Sequence, residues 1–453
     1  MAHLDPDSVD RVVKLVLDAG DADSLEQAQD LLLTYRMQVL AGADACRDQS
    51  GQAALLTAVN TGVRALHGGV GVQLAQDSEC KVPLMRGQRL SEVVTELGGH
   101  LIEHAGVHVP TIMLGAPSLP DDPAHSPRVW ASGCGWIATV SPRAPGGGGR
   151  AAETPAAVLA ASLAVSEIFQ WFRGLAVAGD REISISLWDP SRDATGENAQ
   201  GPPIALLPSS LWLLGLGHLG QAYGWLLGML PYPLTAGTLV LHDGDRLSKA
   251  NRATSMLYRA EQLGTPKARV VAGALERGGW QTQLIERRHL GGRLRESQDP
   301  LVLVGGVDNP DTRRSYDESG FPVIYDAGLG AGSDGYLGIT VRRLPARKPS
   351  AEMWRQASAR RGPLAPRAAA AYAALERSSG DRCGVEMLAG RTVATAFVGV
   401  SAACFVIGGL LRELHGGRPF ELVDLTMRDP RRIEAIAAPR GGPARIGSVA
   451  RAP

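Results

Sequence analysis

Apolar and polar positions follow different periods in successive parts of the chain, and the pattern is clearest in the second half. Apolar runs at residues 210–214, 238–241, 301–304 and 338–341 have the length of buried strands, and a helical stretch at 221–230 separates the first two. Short buried strands that alternate with helices are typical of a parallel sheet with helices on its faces. We therefore predict an α/β fold with a doubly wound, Rossmann-like sheet.

The same succession of elements occurs twice along the chain. Residues 160–175 form a predicted helix rich in small side chains, which is followed by a strand at 180–187 and a proline-marked stop. Residues 399–414 and 418–425 repeat this order near the end of the chain. Two halves of common ancestry would produce the recurrence, and chance similarity in a chain rich in alanine and glycine is the alternative.

A glycine-cornered turn follows the strand at 210–214. Its corners are Gly215, Gly217 and Gly220. The first glycine permits a tight turn, the second lets the backbone approach a phosphate, and the third lets the next helix pack closely, while the helix N-terminus offers free N–H groups to an anion. The turn predicts a phosphate site, although by itself it would also fit a nicotinamide or flavin protein.

Charged residues behind the turn narrow this prediction. Asp243 and Asp245 close the second strand, where a carboxylate can take ribose hydroxyls, and Lys267 begins a later helix from which it can reach a phosphate chain. Asp308 follows the strand at 301–304, so its carboxylate lies at the carboxyl edge of the sheet, where a phosphate-bridging Mg²⁺ would sit. Redox dinucleotide enzymes need neither this lysine nor this carboxylate.

In their order these motifs resemble those of the adenylating domain of the ThiF/MoeB family and of ubiquitin-activating enzymes. That family shows a glycine turn, then D-x-D followed by S-N-L-N-R-Q, then G-x-x-K-A and D-N-x-x-T-R. Residues 243–245, 264–268 and 308–313 match D-x-D, G-x-x-K-A and D-N-x-x-T-R. The resemblance covers roughly residues 211–432.

The resemblance implies an adenylyltransferase that uses ATP and Mg²⁺ to join AMP to the C-terminal carboxylate of a ubiquitin-like or sulfur-carrier β-grasp protein, with a conjugating enzyme as a second candidate partner. A carboxylate is repelled by the triphosphate, so the site must neutralise charge and align the reactants, but it needs no general base. By the same resemblance Asp308 would hold the metal ion, and the nucleotide would be bound by Gly215, Gly217, Gly220, Asp243, Asp245, Asn251, Lys267 and Asn309.

One position departs from the family pattern. Without gaps, Asn251 takes the first asparagine of the S-N-L-N-R-Q segment, and the family's phosphate-binding arginine falls on Thr254. Arg252, two residues earlier, is the candidate to replace it. If Arg252 cannot reach the phosphates, the site would be slow or silent, and the chain would be a pseudo-enzyme that binds a nucleotide or a ubiquitin-like protein without turnover.

Two more candidates come from the resemblance. Family members work as dimers or fused pseudo-dimers in which an arginine from the partner's N-terminal segment enters the site, and residues 35–38 look like that segment. Arg36 is therefore a candidate arginine finger, with an ordinary surface arginine as the alternative.

Cys383 stands where several relatives carry a zinc ligand or a thioester-forming cysteine. Because the chain has no C-x-x-C pair we expect no zinc, and Cys383 either forms a thioester or packs under a helix.

The first half has no counterpart of the glycine turn. A helix and a strand are predicted at residues 54–65 and 69–76, but no G-x-G-x-x-G precedes them, so we predict a degenerate, related α/β half. Whether the chain is a pseudo-dimeric monomer or forms a homodimer stays open. The predicted parts are a degenerate adenylation-like half at residues 1–192, a linker at 193–209, an active adenylation domain at 210–432 with a crossover segment at 345–382, and a flexible basic tail at 433–453.

Composition excludes other classes of protein. The 453 residues include 46 lysines and arginines against 46 aspartates and glutamates, so we expect no nucleic-acid or membrane partner. The uncharged stretch at residues 393–411 is long enough to span a bilayer, but its small residues indicate a helix buried at an interface. Scattered cysteines and the lack of a secretory signal favour the cytoplasm. A nicotinamide-dependent dehydrogenase remains the rival from the redox class.

Overall fold

The computed structural model of the protein describes residue 5 and residues 7–118, 126–146, 149–196, 198–355, 366–439 and 446–452. The strands of the first half are β1 (Met37–Ala41), β2 (Val70–Leu74), β3 (His100–Leu101), β4 (Thr111–Leu114), β5 (Arg128–Cys134), β6 (Ile137–Ser141) and β7 (Ile183–Ser186). Its helices are α1 (Arg11–Asp18), α2 (Leu25–Leu33), α3 (Ala43–Arg47), α4 (Gln49–Ala65), α5 (Leu90–Glu96) and α6 (Thr154–Phe172).

The second half begins at β8. Its strands are β8 (Leu206–Pro208), β9 (Ser210–Leu214), β10 (Gly237–His242), β11 (Trp280–Ile285), β12 (Val302–Gly305), β13 (Val323–Leu329), β14 (Gly338–Leu344), β15 (Phe420–Thr426), β16 (Ile433–Ala437) and β17 (Val449–Arg451). Its helices are α7 (His218–Met229), α8 (Lys267–Arg277), α9 (Pro310–Arg314), α10 (Gly332–Gly335), α11 (Ser350–Met353), α12 (Pro366–Ser379), α13 (Arg382–Gly390) and α14 (Ala396–Leu414).

Each half is built on one large sheet, and the two sheets share one strand order. The order is β3-β2-β1-β4-β5-β6-β7 in the first half and β11-β10-β9-β12-β13-β14-β15-β16 in the second. The first five strands of each sheet are parallel and the following ones antiparallel. The predicted fold class and the repeated halves are confirmed, with β16 as the addition of the second half.

Helices α6 and α14 form the centre of the molecule. Each has 19 residues, and nearly all of their side chains are buried. Helix α14 packs against α6 and α7. By length and composition alone both helices could cross a membrane, but 89% of the most apolar window of each is buried inside the protein. Their small side chains let helices from both halves approach closely, so the predicted buried helix at residues 393–411 is confirmed.

Buried arginines link the two halves at the ends of these helices. Arg412 of α14 donates from Nη1 to the carbonyl oxygen of Leu187 at 2.8 Å, which belongs to the first half. In the opposite direction, Arg181 donates from Nη1 to the carbonyl oxygen of Arg428 at 2.7 Å, while its Nη2 pairs with the buried Glu167 at 2.7 Å. Charged hydrogen bonds therefore join the halves at both ends of the apolar contact.

The chain after residue 432 corrects one prediction. Residues 433–437 form β16, which pairs with β15, and β17 pairs with β8 inside the predicted linker. The prediction of a flexible tail is therefore wrong for the residues of these two strands. For β17 the pairing partner lies far away in sequence. Residues 440–445 of the predicted tail lie outside the described residues. In the crossover segment, α12 confirms the helical pattern around residues 368–376.

Candidate functional site

The glycine turn between β9 and α7 has two packed corners and one open corner. Gly215 has φ of +83°, and a Cβ atom there would lie 2.9 Å from Val307. A Cβ atom at Gly220 would overlap the Gly215 carbonyl oxygen. At Gly217 no atom lies within 4 Å of such a Cβ, and no side chain caps the N-terminus of α7. The turn thus presents uncapped N–H groups beside free space, as a phosphate site requires.

Asp243 ties this turn to the end of the next strand. Its Oδ2 accepts the Leu216 N–H at 2.6 Å, and its Oδ1 accepts the Asp245 N–H at 2.7 Å. Burial raises the pKa of Asp243, although the charge of Lys267 opposes the rise. A carboxylate oxygen has two acceptor positions, so Asp243 shapes the turn and keeps capacity for a ligand hydroxyl.

Lys267 and Arg288 meet at the second acidic residue of this edge. Asp245 Oδ2 lies 3.3 Å from Lys267 Nζ, and Asp245 Oδ1 lies 2.9 Å from Arg288 Nη2. Burial would raise the pKa of Asp245, but Lys267 and Arg288 hold it below its usual value. Sequence analysis missed Arg288, which belongs to no motif; its position directly after β11 at the same sheet edge was the signal.

Asp308 lies at the same edge, on the exposed loop between β12 and α9. The pKa of Arg288 is raised first by its hydrogen bond and charge pairing with Asp245, and the charges of Asp243 and Asp308 add to the rise. Asn309 is the N-cap of α9, where its Oδ1 accepts the Asp311 N–H at 2.8 Å. Asp308 thus follows β12 at the sheet edge where Asp243 and Asp245 follow β10.

The segment after Asp245 departs from the expected arrangement. Asn251 uses its Oδ1 to accept the Ser248 N–H at 2.9 Å and so caps a short turn. Thr254 is buried. Arg252 is about half exposed, and its Nη1 lies 3.5 Å from Oδ2 of Asp10, the N-cap of α1. The arginine proposed to contact phosphate is therefore paired with a carboxylate of the first half.

The N-terminal segment reaches the second half through residues that sequence analysis did not single out. Arg36, the predicted finger, is exposed and lies directly before β1. Asp7 accepts the Ala250 N–H on its carbonyl oxygen at 2.8 Å, and its carboxylate pairs with Arg391 at 2.7 Å. Asp7 and Asp10 of the first half contact the segment of Arg252, while residues 37–41 form a strand of the first sheet.

His218 lies inside the turn and is a packing residue. Its ring fills the space beside Gly399 at the start of α14, where a Cβ atom would collide with it. Burial lowers the pKa of His218 to about 4. The imidazole is therefore neutral at pH 7.

Cys383 is exposed in the first turn of α13, and it is the exposed one among the five cysteines, all of which lie within the described residues. The arginines that lie near it in sequence have partners of their own. Arg382 pairs with Glu386 at 2.8 Å, and Arg391 pairs with Asp7. An exposed thiol is accessible to a reaction, whereas the alternative of a cysteine packed under the helix does not match its exposure.

A cavity of about 850 Å³ lies over β13, β14 and β15. Arg313 of α9 lines it and pairs with the buried Asp326 at 3.0 Å. Asp326 also accepts the Tyr316 hydroxyl at 2.8 Å, and burial raises its pKa against the charge of Arg313. The other charged lining residues are Arg342, Asp424, Arg432 and Glu434. The cavity has room for an extended peptide and carries charges of both signs.

Acidic side chains of the first half lie in the loops that correspond in strand order to the glycine turn. Its β1 and β4 correspond to β9 and β12, and the Asp44 carboxylate lies between the two loops that follow them, where it accepts the Ala116 N–H at 3.1 Å. At the start of α4, the counterpart of α7, Asp48 accepts the N–H groups of Ser50 and Gly51 at 3.1 and 3.2 Å. The first turn of α4 is therefore capped by a carboxylate, whereas no side chain caps α7.

Comparison with known proteins agrees with the division into two halves. The BilD N-terminal domain matches residues 36–187, and the BilD C-terminal domain matches residues 207–417. A bacterial E1-like protein BilD from Collimonas sp. (strain OK412) is 36% identical over 430 residues, which cover 93% of this chain and 91% of that protein. The chain belongs to the BilD family of bacterial E1-like proteins. This family membership supports the E1-like resemblance but does not single out the ThiF/MoeB type.

Solved structures give weaker similarities to this BilD family member. The crystal structure of selenomethionine PaaA has a TM-score of 0.34 and 16% identity, covering 51% of this chain and 64% of that chain. A crystal structure of E. coli MccB with ATP has a TM-score of 0.33 and 12% identity, covering 62% and 80%. At these scores neither structure assigns a role to any residue of the chain.

Proposed function

We propose that this BilD family member is an ATP-dependent adenylyltransferase that activates the C-terminal carboxylate of a ubiquitin-like or sulfur-carrier β-grasp protein. The observation that supports the proposal is that the open corner at Gly217, the Asp245–Lys267 pair and the loop of Asp308 follow the carboxyl ends of β9, β10 and β12, which are neighbours in one parallel sheet. A nicotinamide enzyme would need the turn but not the lysine and the exposed carboxylate.

The turn and Lys267 would bind the phosphates of ATP. The uncapped N–H groups at the start of α7 attract an anion, and the empty space beside Gly217 gives it access. Lys267 would exchange Asp245 for a phosphate oxygen, since Arg288 can keep the Asp245 carboxylate paired. Asp243 and Asp245 would take the ribose hydroxyls at the end of β10.

Mg²⁺ would be held by Asp308 together with phosphate oxygens. Within the described residues no group of three or more histidine, cysteine or acidic side chains is arranged to bind a metal, and Mg²⁺ is usually bound by one or two carboxylates plus the substrate's phosphates. The ion would neutralise phosphate charge in front of the attacking carboxylate.

The cavity lined by Arg313 would take the carboxyl-terminal tail of the target protein. Its arginines attract a carboxylate, and Arg313 is held in place by the buried Asp326. The chain's own groups would orient the tail and exclude water, while the ionised carboxylate attacks the α-phosphorus and pyrophosphate leaves. The Cys383 thiolate would then attack the acyl adenylate, forming a thioester as the acyl–phosphate bond breaks and AMP leaves. The protein would work in the cytoplasm as a pseudo-dimeric monomer or a homodimer, with a conjugating enzyme as acceptor.

One observation favours a second candidate function. Arg252 is paired with Asp10 and not with a group of the glycine turn. A protein in which this pair persists when ATP is present would bind a nucleotide or a ubiquitin-like partner without turnover. The two functions differ in chemistry, because only the enzyme exchanges pyrophosphate.

Pyrophosphate exchange tests the proposal. The full chain is incubated with ATP, Mg²⁺, labelled pyrophosphate and candidate β-grasp proteins that end in Gly-Gly, and each partner is compared with a version whose terminal carboxylate is amidated. We expect label in ATP only with the free carboxylate. A folded protein that is stabilised thermally by ATP and Mg²⁺ but exchanges with no partner would be the pseudo-enzyme, and stabilisation by NADH instead would indicate a dehydrogenase.

A further inference from the structure

Helix α4 of the first half extends two polar side chains under the segment that carries Arg252. Arg64 donates from Nη1 to the carbonyl oxygen of Arg252 at 2.7 Å and from Nη2 to that of Met256 at 3.3 Å. Asn60 donates to the same Met256 oxygen at 2.9 Å and accepts the Arg64 Nε–H at 2.9 Å. Side chains of one half thus bind the backbone of a loop of the other.

The same loop is also held by its own half. Gln221 of α7 accepts the Leu257 N–H at 3.0 Å, so the helix that begins at the glycine turn contacts the loop directly. The ring of Tyr258 lies 6.0 Å from the Arg64 guanidinium carbon. Residues 252–258 are therefore clamped between α4 and α7, and the contacts of α4 exist only while the two halves are docked.

The charge of Arg64 has no direct partner of opposite sign in the described part of the chain. All its hydrogen bonds there go to carbonyl and amide oxygens, and the nearby Asp10 pairs with Arg252. Burial lowers the pKa of Arg64 to about 9, with Arg252 adding to the fall, so the guanidinium is still charged at neutral pH. A buried cation without a paired anion is costly, and an anionic ligand close by would offset that cost.

We propose that Arg64 is a positioning residue for the nucleotide site, supplied by the half that lacks the glycine turn. It holds the carbonyl groups of residues 252–258 and thereby sets the direction of Arg252, and its charge favours a bound triphosphate. This inference rests on the proposed function. It makes ATP binding dependent on both halves.

Kinetics of Arg64→Gln and Arg64→Lys test this role in the full chain. The glutamine variant keeps a donor but loses the charge and the forked geometry, so we expect the KM for ATP to rise about tenfold or more while kcat changes by less than about twofold. The lysine variant keeps the charge and should lie between the glutamine variant and the wild type. Calorimetric titration with ATP and Mg²⁺ measures the same loss without turnover.

Arg412→Gln is the matched control. Arg412 is also a buried arginine bonded to carbonyl oxygens across the two halves, and burial lowers its pKa too, but it lies at the far end of α14. We expect it to lower the melting temperature and leave the KM for ATP unchanged. If Arg64→Gln does not fold, Arg64→Lys and Asn60→Leu supply the comparison, because each removes only part of the clamp.

The outcomes separate the inference from the proposed function. A wild-type chain that neither binds ATP nor exchanges pyrophosphate overturns both. A wild type that does both, together with an Arg64→Gln variant that folds and keeps the wild-type KM, overturns the role of Arg64 alone. Equal increases in KM for Arg64→Gln and Arg412→Gln would also overturn it, because a general loss of stability would then explain the effect.

Discussion

Lys267 Nζ lies 3.3 Å from Asp245 Oδ2, so the lysine at the start of α8 is paired with the acid at the end of β10. Arg288 pairs with the other oxygen of the same carboxylate. Under the proposed function, Arg288 would keep the Asp245 carboxylate paired after Lys267 turned to a phosphate. This shared carboxylate makes the role of the lysine testable with little damage to the fold.

Lys267→Met should lower the rate of pyrophosphate exchange by about 100-fold or more, because the phosphates lose a cation that would stabilise their negative charge. The free energy of unfolding should change by less than about 1 kcal/mol, since the pair is partly exposed to solvent and Arg288 remains. Arg269→Gln is the control on the same helix, where Arg269 pairs with Glu286 on the surface at 2.7 Å. Equal exchange rates in both variants would contradict the prediction.

The corners of the turn should respond differently to an added methyl group. Gly217→Ala meets no protein atom, so the fold should keep its melting temperature while ATP affinity falls about tenfold, because the methyl group occupies ligand space. Gly220→Ala should lower the free energy of unfolding by about 1–3 kcal/mol, because the new atom overlaps Gly215. At Gly273 in α8 an added Cβ atom also meets no protein atom, so Gly273→Ala should lower neither the melting temperature nor the ATP affinity. Calorimetric titration measures the ATP affinity of each variant, and thermal unfolding measures its stability. Unchanged ATP affinity in Gly217→Ala would contradict a role of the turn in phosphate binding.

Arg313→Leu should destabilise the protein by about 3 kcal/mol at neutral pH, because Asp326 stays buried without its partner. Burial raises the pKa of Asp326 in the folded state. The protonated carboxyl group therefore stabilises the folded protein fully below the unfolded-state pKa of about 3.9, and this stabilisation is lost as pH rises through the folded-state pKa. Without Arg313 the folded-state pKa of Asp326 rises further, so the pH range over which stability is lost extends to higher pH.

The variant should therefore recover part of its lost stability at pH 5 relative to pH 7.5. Urea unfolding of wild type and variant at both values measures the difference. The double variant with Asp326→Asn should show no such pH dependence. An equal loss at both pH values for Arg313→Leu would refute the explanation.

Cys383→Ala should abolish an adduct with the β-grasp partner that thiol reductants cleave, while pyrophosphate exchange continues. The thiol is exposed on α13, so its removal should leave the melting temperature unchanged. Cys134→Ala, at a half-buried cysteine of the first half, should keep the adduct. An adduct that survives in Cys383→Ala would show that the thioester forms elsewhere or not at all.

Local patterns in the sequence predicted the sheet edge well. The predicted bounds of β9 match the strand, and Asp243 and Asp308 follow β10 and β12, whose carboxyl ends lie at one edge of the sheet. Lys267 pairs with Asp245 at the same edge, and the roles of these residues in binding stay predictions. The predicted helix at residues 221–230 begins three residues earlier, since the helix starts inside the turn. Sequence motifs and hydrophobic periodicity reveal contacts between residues that are close along the chain. They also reveal the contacts that follow from the regular geometry of neighbouring strands.

Arg64, Asp7 and Asp10 could not be found this way. They reach the segment of Arg252 from the other half, and no pattern around any of them marks the contact. Arg36 lies directly before β1, the strand that pairs with β2 and β4, and its role as an arginine finger stays a prediction.

The sequence by itself determined the α/β class, the repeated halves, the glycine turn and the identity of the charged residues around it, because each depends on neighbours within one half. The tertiary structure decided which carboxylate Arg252 pairs with and which residues hold its backbone. These depend on how two sheets dock through α6 and α14, and docking brings together side chains that are far apart along the chain. The physical reason is that burial and charge pairing act through space, whereas a sequence pattern records only what lies near along the chain.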